Sequence, residues 1–209
     1  MLMIKTIITF HLSFFSLFSV VGQDKQTSNA SKDLNQHEYF SCSQIGWKLK
    51  IPPNWSLKSQ NDNPRNEQLL KSIESELGTE IGQGMSECQV VIERDKSNLV
   101  KSSIEKLEIE DSTELELMQS FAKRLIVQVY QKAGLKTEVS ETRKEIIGGT
   151  EFSVFSILLH NAETAQDLRQ LMYSGYINGY DFTFLITYTK EEFRDEILDH
   201  FKASDFRKR

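Results

Sequence analysis

The dipeptide Asn178-Gly179 stands between two runs rich in aromatic and β-branched residues, and it constrains the chain more than any other stretch. A two-residue type I′ turn needs positive φ at both central positions, which asparagine and glycine accept most readily. Such a turn predicts a hairpin in full register. Ile177 faces Tyr180, Gly175 faces Phe182, Tyr173 faces Phe184 and Leu171 faces Ile186. All but the glycine are apolar or aromatic, so this face belongs to a core. The alternate face pairs Gln170 with Thr187, Met172 with Leu185, Ser174 with Thr183 and Tyr176 with Asp181, and it is mixed. A slip of one residue would turn the apolar set to water, so the register is strongly specified.

Thr189-Lys190-Glu191-Glu192 has capping-box spacing and predicts a helix starting at Thr189. Phe193, Ile197, Leu198 and Phe201 share one face of it. A helix with such a stripe, following a long antiparallel hairpin, lies back on a sheet and predicts a layered α+β domain.

Upstream, residues 39–51 predict a first strand, with Trp47, Leu49 and Ile51 alternating with Lys48 and Lys50. Pro52-Pro53 ends it, because proline cannot donate to a ladder. Trp55 is expected to fold over the sheet edge. Asn63, Pro64 and Gly78 bracket a helix with Leu69, Leu70, Ile73 and Leu77 as its stripe. A glycine-containing turn over 81–85 leads to a second strand over 87–93. Residues 98–107 read as an irregular excursion or a short strand. The longest helix covers 113–133, with a capping box at Thr113 to Glu116, an apolar stripe from Met118 to Val129, and Gly134 as its stop. A further hairpin, 136–147 with 150–160, turns at Gly148-Gly149. The parity change among Phe152, Val154, Phe155 and Ile157 predicts a bulge there. The expected fold class is therefore α+β, an antiparallel sheet with helices packed on both faces (an α/β/α sandwich).

Residues 1–22 read as a secretory signal peptide. Lys5 precedes a mostly apolar run, and Val20 and Gly22 suit a cleavage site. The competing reading, a membrane anchor, meets a short run broken by Thr9, His11, Ser13 and Ser16. No later stretch is apolar enough to cross a bilayer. Residues 23–37 form a polar, disordered tether, and 38–209 a single domain. The protein is expected to be secreted or periplasmic. Cys42 and Cys88 both lie in the exported part. In an oxidising compartment they read as a disulfide, with two buried free thiols as the alternative. The chain carries a net charge of −5, and loss of Lys5 makes it more negative, which argues against a nucleic-acid partner.

The stretch Gly46-Trp47-Lys48-Leu49-Lys50-Ile51-Pro52-Pro53-Asn54-Trp55 resembles the strand–Pro–Trp opening of the PsbP-like superfamily, which includes PsbP and the DcrB-type envelope proteins. Residues 176–184, the helix to Phe201 and the segment 202–206 are similar to its closing hairpin, helix and final short strand. The resemblance covers roughly residues 39–206 and implies the sandwich fold. It carries no functional residue over, because the matching positions are packing and turn residues.

The search for chemistry is mostly negative. His37, His160 and His200 lack ligand spacing, and no cofactor motif is present. The acidic run Glu105, Glu108, Glu110, Asp111, Glu114 and Glu116 lacks the spacing of a calcium loop and reads as a solvated face preceding a helix. Gly78, Gly82 and Gly84 follow a helix instead of opening one, so they read as a turn and not a phosphate cradle. Tyr173-Ser174-Gly175 lacks the first glycine of a nucleophile elbow. Cys88 has no histidine near it in sequence, and His37, five residues before Cys42, falls in the tether. Trp47, Trp55, Tyr173, Tyr176 and Tyr180 read as packing residues, with a partner surface as the alternative.

The function expected is that of a non-enzymatic binding or assembly factor of the cell envelope, with an envelope protein as its partner. The alternatives are a module that binds a small molecule or lipid in an apolar pocket between helix and sheet, and a hydrolase with a noncontiguous site.

Overall fold

The computed structural model describes residues 39–58, 88–109, 111–161 and 166–206. The expected signal peptide, tether, helix over 64–77 and glycine turn over 81–85 lie outside them. The described elements in chain order are β1 (Tyr39–Cys42), β2 (Trp47–Lys50), β3 (Ser56–Lys58), β4 (Val90–Asp95), β5 (Asn98–Lys106), α1 (Ser112–Lys132), β6 (Lys136–Val139), β7 (Arg143–Ile147), β8 (Thr150–Asn161), β9 (Gln166–Ile177), β10 (Tyr180–Tyr188), α2 (Glu191–Lys202) and β11 (Asp205–Phe206).

The central hairpin, β9–β10, has the register that its turn predicts, pair for pair from Ile177↔Tyr180 to Gln170↔Thr187. Asn178 and Gly179 take φ of 54° and 86°, the left-handed values a type I′ turn demands. Gly175 has a steric reason of its own: a Cβ there would lie 2.7 Å from the Phe152 ring. On either side of the hairpin the sheet grows to eight strands in the order β3-β4-β5-β10-β9-β8-β6, and β7 also pairs with β8. Its ladders are antiparallel. Along β8, the partners step from Val139↔Ile157 to Arg143↔Val154. That step inserts one extra residue on the β6–β7 side, the expected bulge, and Ser140 stitches it by accepting from Ser156 N through its hydroxyl at 2.9 Å.

Four expectations need correction. Residues 39–51 are not one strand. The chain turns at 43–46, where Gly46 N donates to Ser43 O at 3.3 Å, and β1 folds back on β2. With β11 these form a separate three-stranded sheet. Within 98–107, Asn98–Lys106 form a full nine-residue strand, β5, paired on both sides. Neither capping box forms. The N-cap of α1 is Asp111, whose carboxylate accepts from Glu114 N at 2.9 Å. The N-cap of α2 is Lys190, because Thr189 is held elsewhere, its N and Oγ1 donating to Asn98 Oδ1 at 2.9 and 3.2 Å. At its other end α1 stops as expected. Gly134 takes φ +81°, with Leu135 N donating to Tyr130 O and Gly134 N to Gln131 O, both at 3.0 Å, the double bond of a Schellman stop.

The buried side chains fall into clusters. The largest joins Tyr173, Phe182, Phe184 and Ile186 of the hairpin to Trp47 and Leu49 of β2, Ile197 and Phe201 of α2, and Phe206 of β11. Trp47 is its hub, 4.9 Å from Phe182 and stacked on Phe206. This is how the small sheet is bound to the large one. The second joins Leu125, Ile126, Val129 and Tyr130 of α1 to Phe155, Ile157, Leu159, Met172 and Leu185.

Candidate functional site

Helical spacing places Gln119, Lys123 and Val127 in one line along α1, beside its buried stripe. That line borders a groove of about 700 Å³ between α1 and the sheet, within the range of about 300–1,000 Å³ usual for small-molecule sites. Ala122, Val127, Val139, Phe155 and Met172 give it an apolar lining. Gln119, Ser153 and Ser174 form its polar end, and Glu116, Lys123, Arg124 and Lys144 its charged rim.

The polar end follows from strand register. Ser103, Thr183, Ser174 and Ser153 are successive partners across β5, β10, β9 and β8, a row of hydroxyls on one face. Gln119 reaches into this row from α1. Its amide donates to Ser174 Oγ at 3.1 Å and accepts from Ser153 Oγ at 2.6 Å. Ser174 in turn donates to Asp181 Oδ1 at 3.2 Å. Asp181 and Glu105 are cross-strand partners on the same face. Burial pushes the Asp181 carboxyl up to about 6, against the Ser174 hydrogen bond. Burial and then the Asp181 charge push Glu105 up to about 7.

The rim charges differ in their compensation. Lys144 lies 3.2 Å from Glu151 and 3.8 Å from Glu116. Lys123 spends its donors on neutral oxygens, Ser140 O at 2.6 Å and Thr142 Oγ1 at 3.1 Å, and its ammonium sits 5.0 Å from the Phe155 ring centroid. Burial lowers its pKa, with Glu141 opposing from beyond ion-pair distance.

The residues singled out from sequence lie mostly elsewhere. Cys42 and Cys88 are joined in a disulfide with Cα atoms 5.4 Å apart, tying the β1 end to the start of the segment leading into β4. Gln44 Oε1 lies 3.0 Å from Cys88 Sγ. His160 sits between two carboxylates, Nδ1 2.9 Å from Asp167 and Nε2 3.1 Å from Glu138. His200 Nδ1 donates to Lys50 O at 2.7 Å. Neither imidazole meets a hydroxyl or thiol nucleophile among the described residues; the Ser204 hydroxyl donates to the backbone carbonyl of His200 at 3.2 Å. His37 and Glu110 lie outside the description. Trp47, Trp55 and Tyr173 are buried core residues, and Tyr176 and Tyr180 pack at core margins. Glu105 departs from the solvated acidic run in which the sequence placed it, because β5 carries it inward against Asp181. Among the described residues no group of three or more metal-ligating side chains occurs, and no helix is long and apolar enough to cross a membrane. Gln119 and Lys123 escaped sequence reasoning because polar residues on a surface helix look solvated. The one legible signal was the facing of Ser174 and Thr183 in the hairpin.

No family model and no curated protein matches the chain. Among solved structures it is similar to the solution structure of cyanobacterial PsbP from Synechocystis sp., with 10% identity and a TM-score of 0.51 over 87% of this chain and 98% of that one. A crystal structure from Bacteroides thetaiotaomicron matches at 9% identity and a TM-score of 0.44, over 82% of this chain and 48% of that one. The fold is PsbP-like.

Proposed function

We propose that this PsbP-like chain is an exported, non-enzymatic binding module whose ligand site is the groove between α1 and the sheet. The observation that carries the proposal is the groove itself: a largely apolar trough of about 700 Å³ with the hydrogen-bonded Gln119–Ser153–Ser174 network in its lining. Such a site suits a small amphipathic molecule, its apolar body on Phe155 and Met172 and its polar part toward the network. We also read the layering as α/β/α. Phe184 and Leu185 are neighbours in β10 and belong to different clusters, one holding α2 and the other α1, and consecutive strand residues point to opposite faces. Export rests on the signal-like residues 1–22 together with the disulfide, which fits an oxidising compartment.

The test is native mass spectrometry of the protein purified from its own host, beside Val127→Trp, which fills the groove from its rim. A bound small molecule on the parent, absent from a normally folded Val127→Trp, supports the reading. Empty protein that also fails to take up a neutral apolar fluorophore sinks it.

A second reading, the assembly factor with an envelope protein partner, is favoured by Leu117 of α1 and Ile146 of β7. These large apolar side chains are 67% and 76% exposed, on elements that Glu116 and Lys144 bring side by side. Crosslinking in the envelope that captures one reproducible protein, lost in Ile146→Lys, would shift the weight to it.

A further inference from the structure

We propose that the ligand of the groove is an amphipathic anion, a molecule with a hydrocarbon body and an acidic head group, held by Lys123 with Arg124 beside it. The inference rests on the binding reading above and names the ligand class.

The argument is one of charge. Among the described residues the groove is bordered by three cations and one carboxylate, Glu116. Glu116 is within ion-pair distance of Lys144, and so is Glu151. No carboxylate of the described residues lies within that distance of Lys123 or Arg124. Lys123 is the more telling of the two. It is a partly desolvated ammonium lying over Phe155, an aromatic ring of the apolar lining. Its two hydrogen-bond acceptors are a carbonyl and a hydroxyl, so an ammonium's third donor is left over. A desolvated cation is costly unless its charge is answered. Glu141 acts on it too weakly to reverse the fall in its pKa. An acidic head placed there completes the site, and its hydrocarbon body then runs along Val127, Val139, Phe155 and Met172. Arg124 follows Lys123 on the helix and is exposed, suited to close on the head from the solvent side. An amine head would meet like charge at this rim. A neutral alcohol would leave Lys123 as it is.

The experiment holds the hydrocarbon constant and changes the head. Decanoate, decyl phosphate, decanol and decylammonium are titrated by calorimetry into the full protein, its Lys123→Gln and Arg124→Gln variants, and the double variant. Both anions are expected to bind at least tenfold more tightly than decanol, with decylammonium the weakest. That preference should fall in each single variant and vanish in the double variant while decanol binding is kept. The ratio of decanoate to decyl phosphate tells a carboxylate head from a phosphate one. If Lys123→Gln fails to fold, exposed Arg124→Gln decides alone, by lowering the preference at least threefold. Equal binding of decanoate and decanol, or a preference that survives the substitutions, overturns the anion inference and leaves the binding reading standing. No binding of any of the four overturns both.

Discussion

Phe184 of β10 and Phe201 of α2 lie face to face, with ring centroids 4.0 Å apart and planes within 7°. Each is fully buried, and each also contacts Trp47 of the small sheet. One pair of rings thus fastens the large sheet, the last helix and the small sheet together. Phe201→Ala removes its side from all three. The expected loss is about 3–5 kcal/mol, read as a lower urea midpoint with an unchanged m-value. A loss under about 1 kcal/mol would mean that the cluster closes over the gap and that the pair is not the fastening.

The disulfide ties into the same cluster, since Cys42 is the cross-strand partner of Trp47. Cys42 and Cys88 are 46 residues apart in sequence, and closing a loop of that length removes about 4 kcal/mol of unfolded-chain entropy in the simplest treatment. The Cys42→Ser, Cys88→Ser double variant should therefore unfold at markedly lower urea than the oxidised parent, and match the parent measured in reductant. Equal midpoints with and without reductant would show that the bridge adds nothing.

How much of this was legible depended on whether a signal was local. The β9–β10 register was, because turn chemistry and alternation sit in the same few residues and agree. Strand β5 was not. Lys101, Ser102 and Ser103 break its apolar pattern, yet all three are buried, and burial alone lowers the Lys101 amine to about 8. The false capping box at Thr189 has the same origin. Its hydroxyl was claimed by Asn98, 91 residues away, which Asp95 fixes through hydrogen bonds of 2.8 and 2.9 Å to Nδ2. The groove needed α1 to be laid beside Ser153 and Ser174, and no spacing within the sequence encodes that meeting.

Glu105 and Asp181 set an acidic slope on stability. Their folded pKa values, about 7 and about 6, lie above ordinary carboxylate values. The folded state therefore binds more protons than the unfolded one between about pH 4 and 7, and stability falls as pH rises through that window. Glu105→Gln and Asp181→Asn should each flatten the fall. Each should also raise stability at neutral pH by on the order of 1 kcal/mol, a figure kept small because Glu105 is partly solvent-screened. Urea midpoints at pH 4.5 and 7.5 give the answer; variants with the parent's slope would place the responsible groups elsewhere.

His160 adds a second dependence with its own signature. A neutral imidazole has one N–H and can donate to only one carboxylate, whereas His160 meets two, Asp167 on β9 and Glu138 on β6. The pair of contacts calls for the imidazolium. The hydrogen bonds to Asp167 and then Glu138 accordingly raise its pKa, against some desolvation. Lys136 is its cross-strand partner on β6. Because the folded value is raised, the contribution is complete below the ordinary histidine value of about 6.5 and is lost as pH climbs through the folded value. The element released is the end of β6, whose Val139 lines the groove. Proton–carbon NMR should show the His160 ring titrating above the ordinary value, and amide exchange in β6 should quicken over the same pH range. In His160→Gln the exchange rates in β6 should carry no step of their own beyond the general base dependence. A His160 ring that titrates at or below the ordinary value would leave the two contacts without the charge they require.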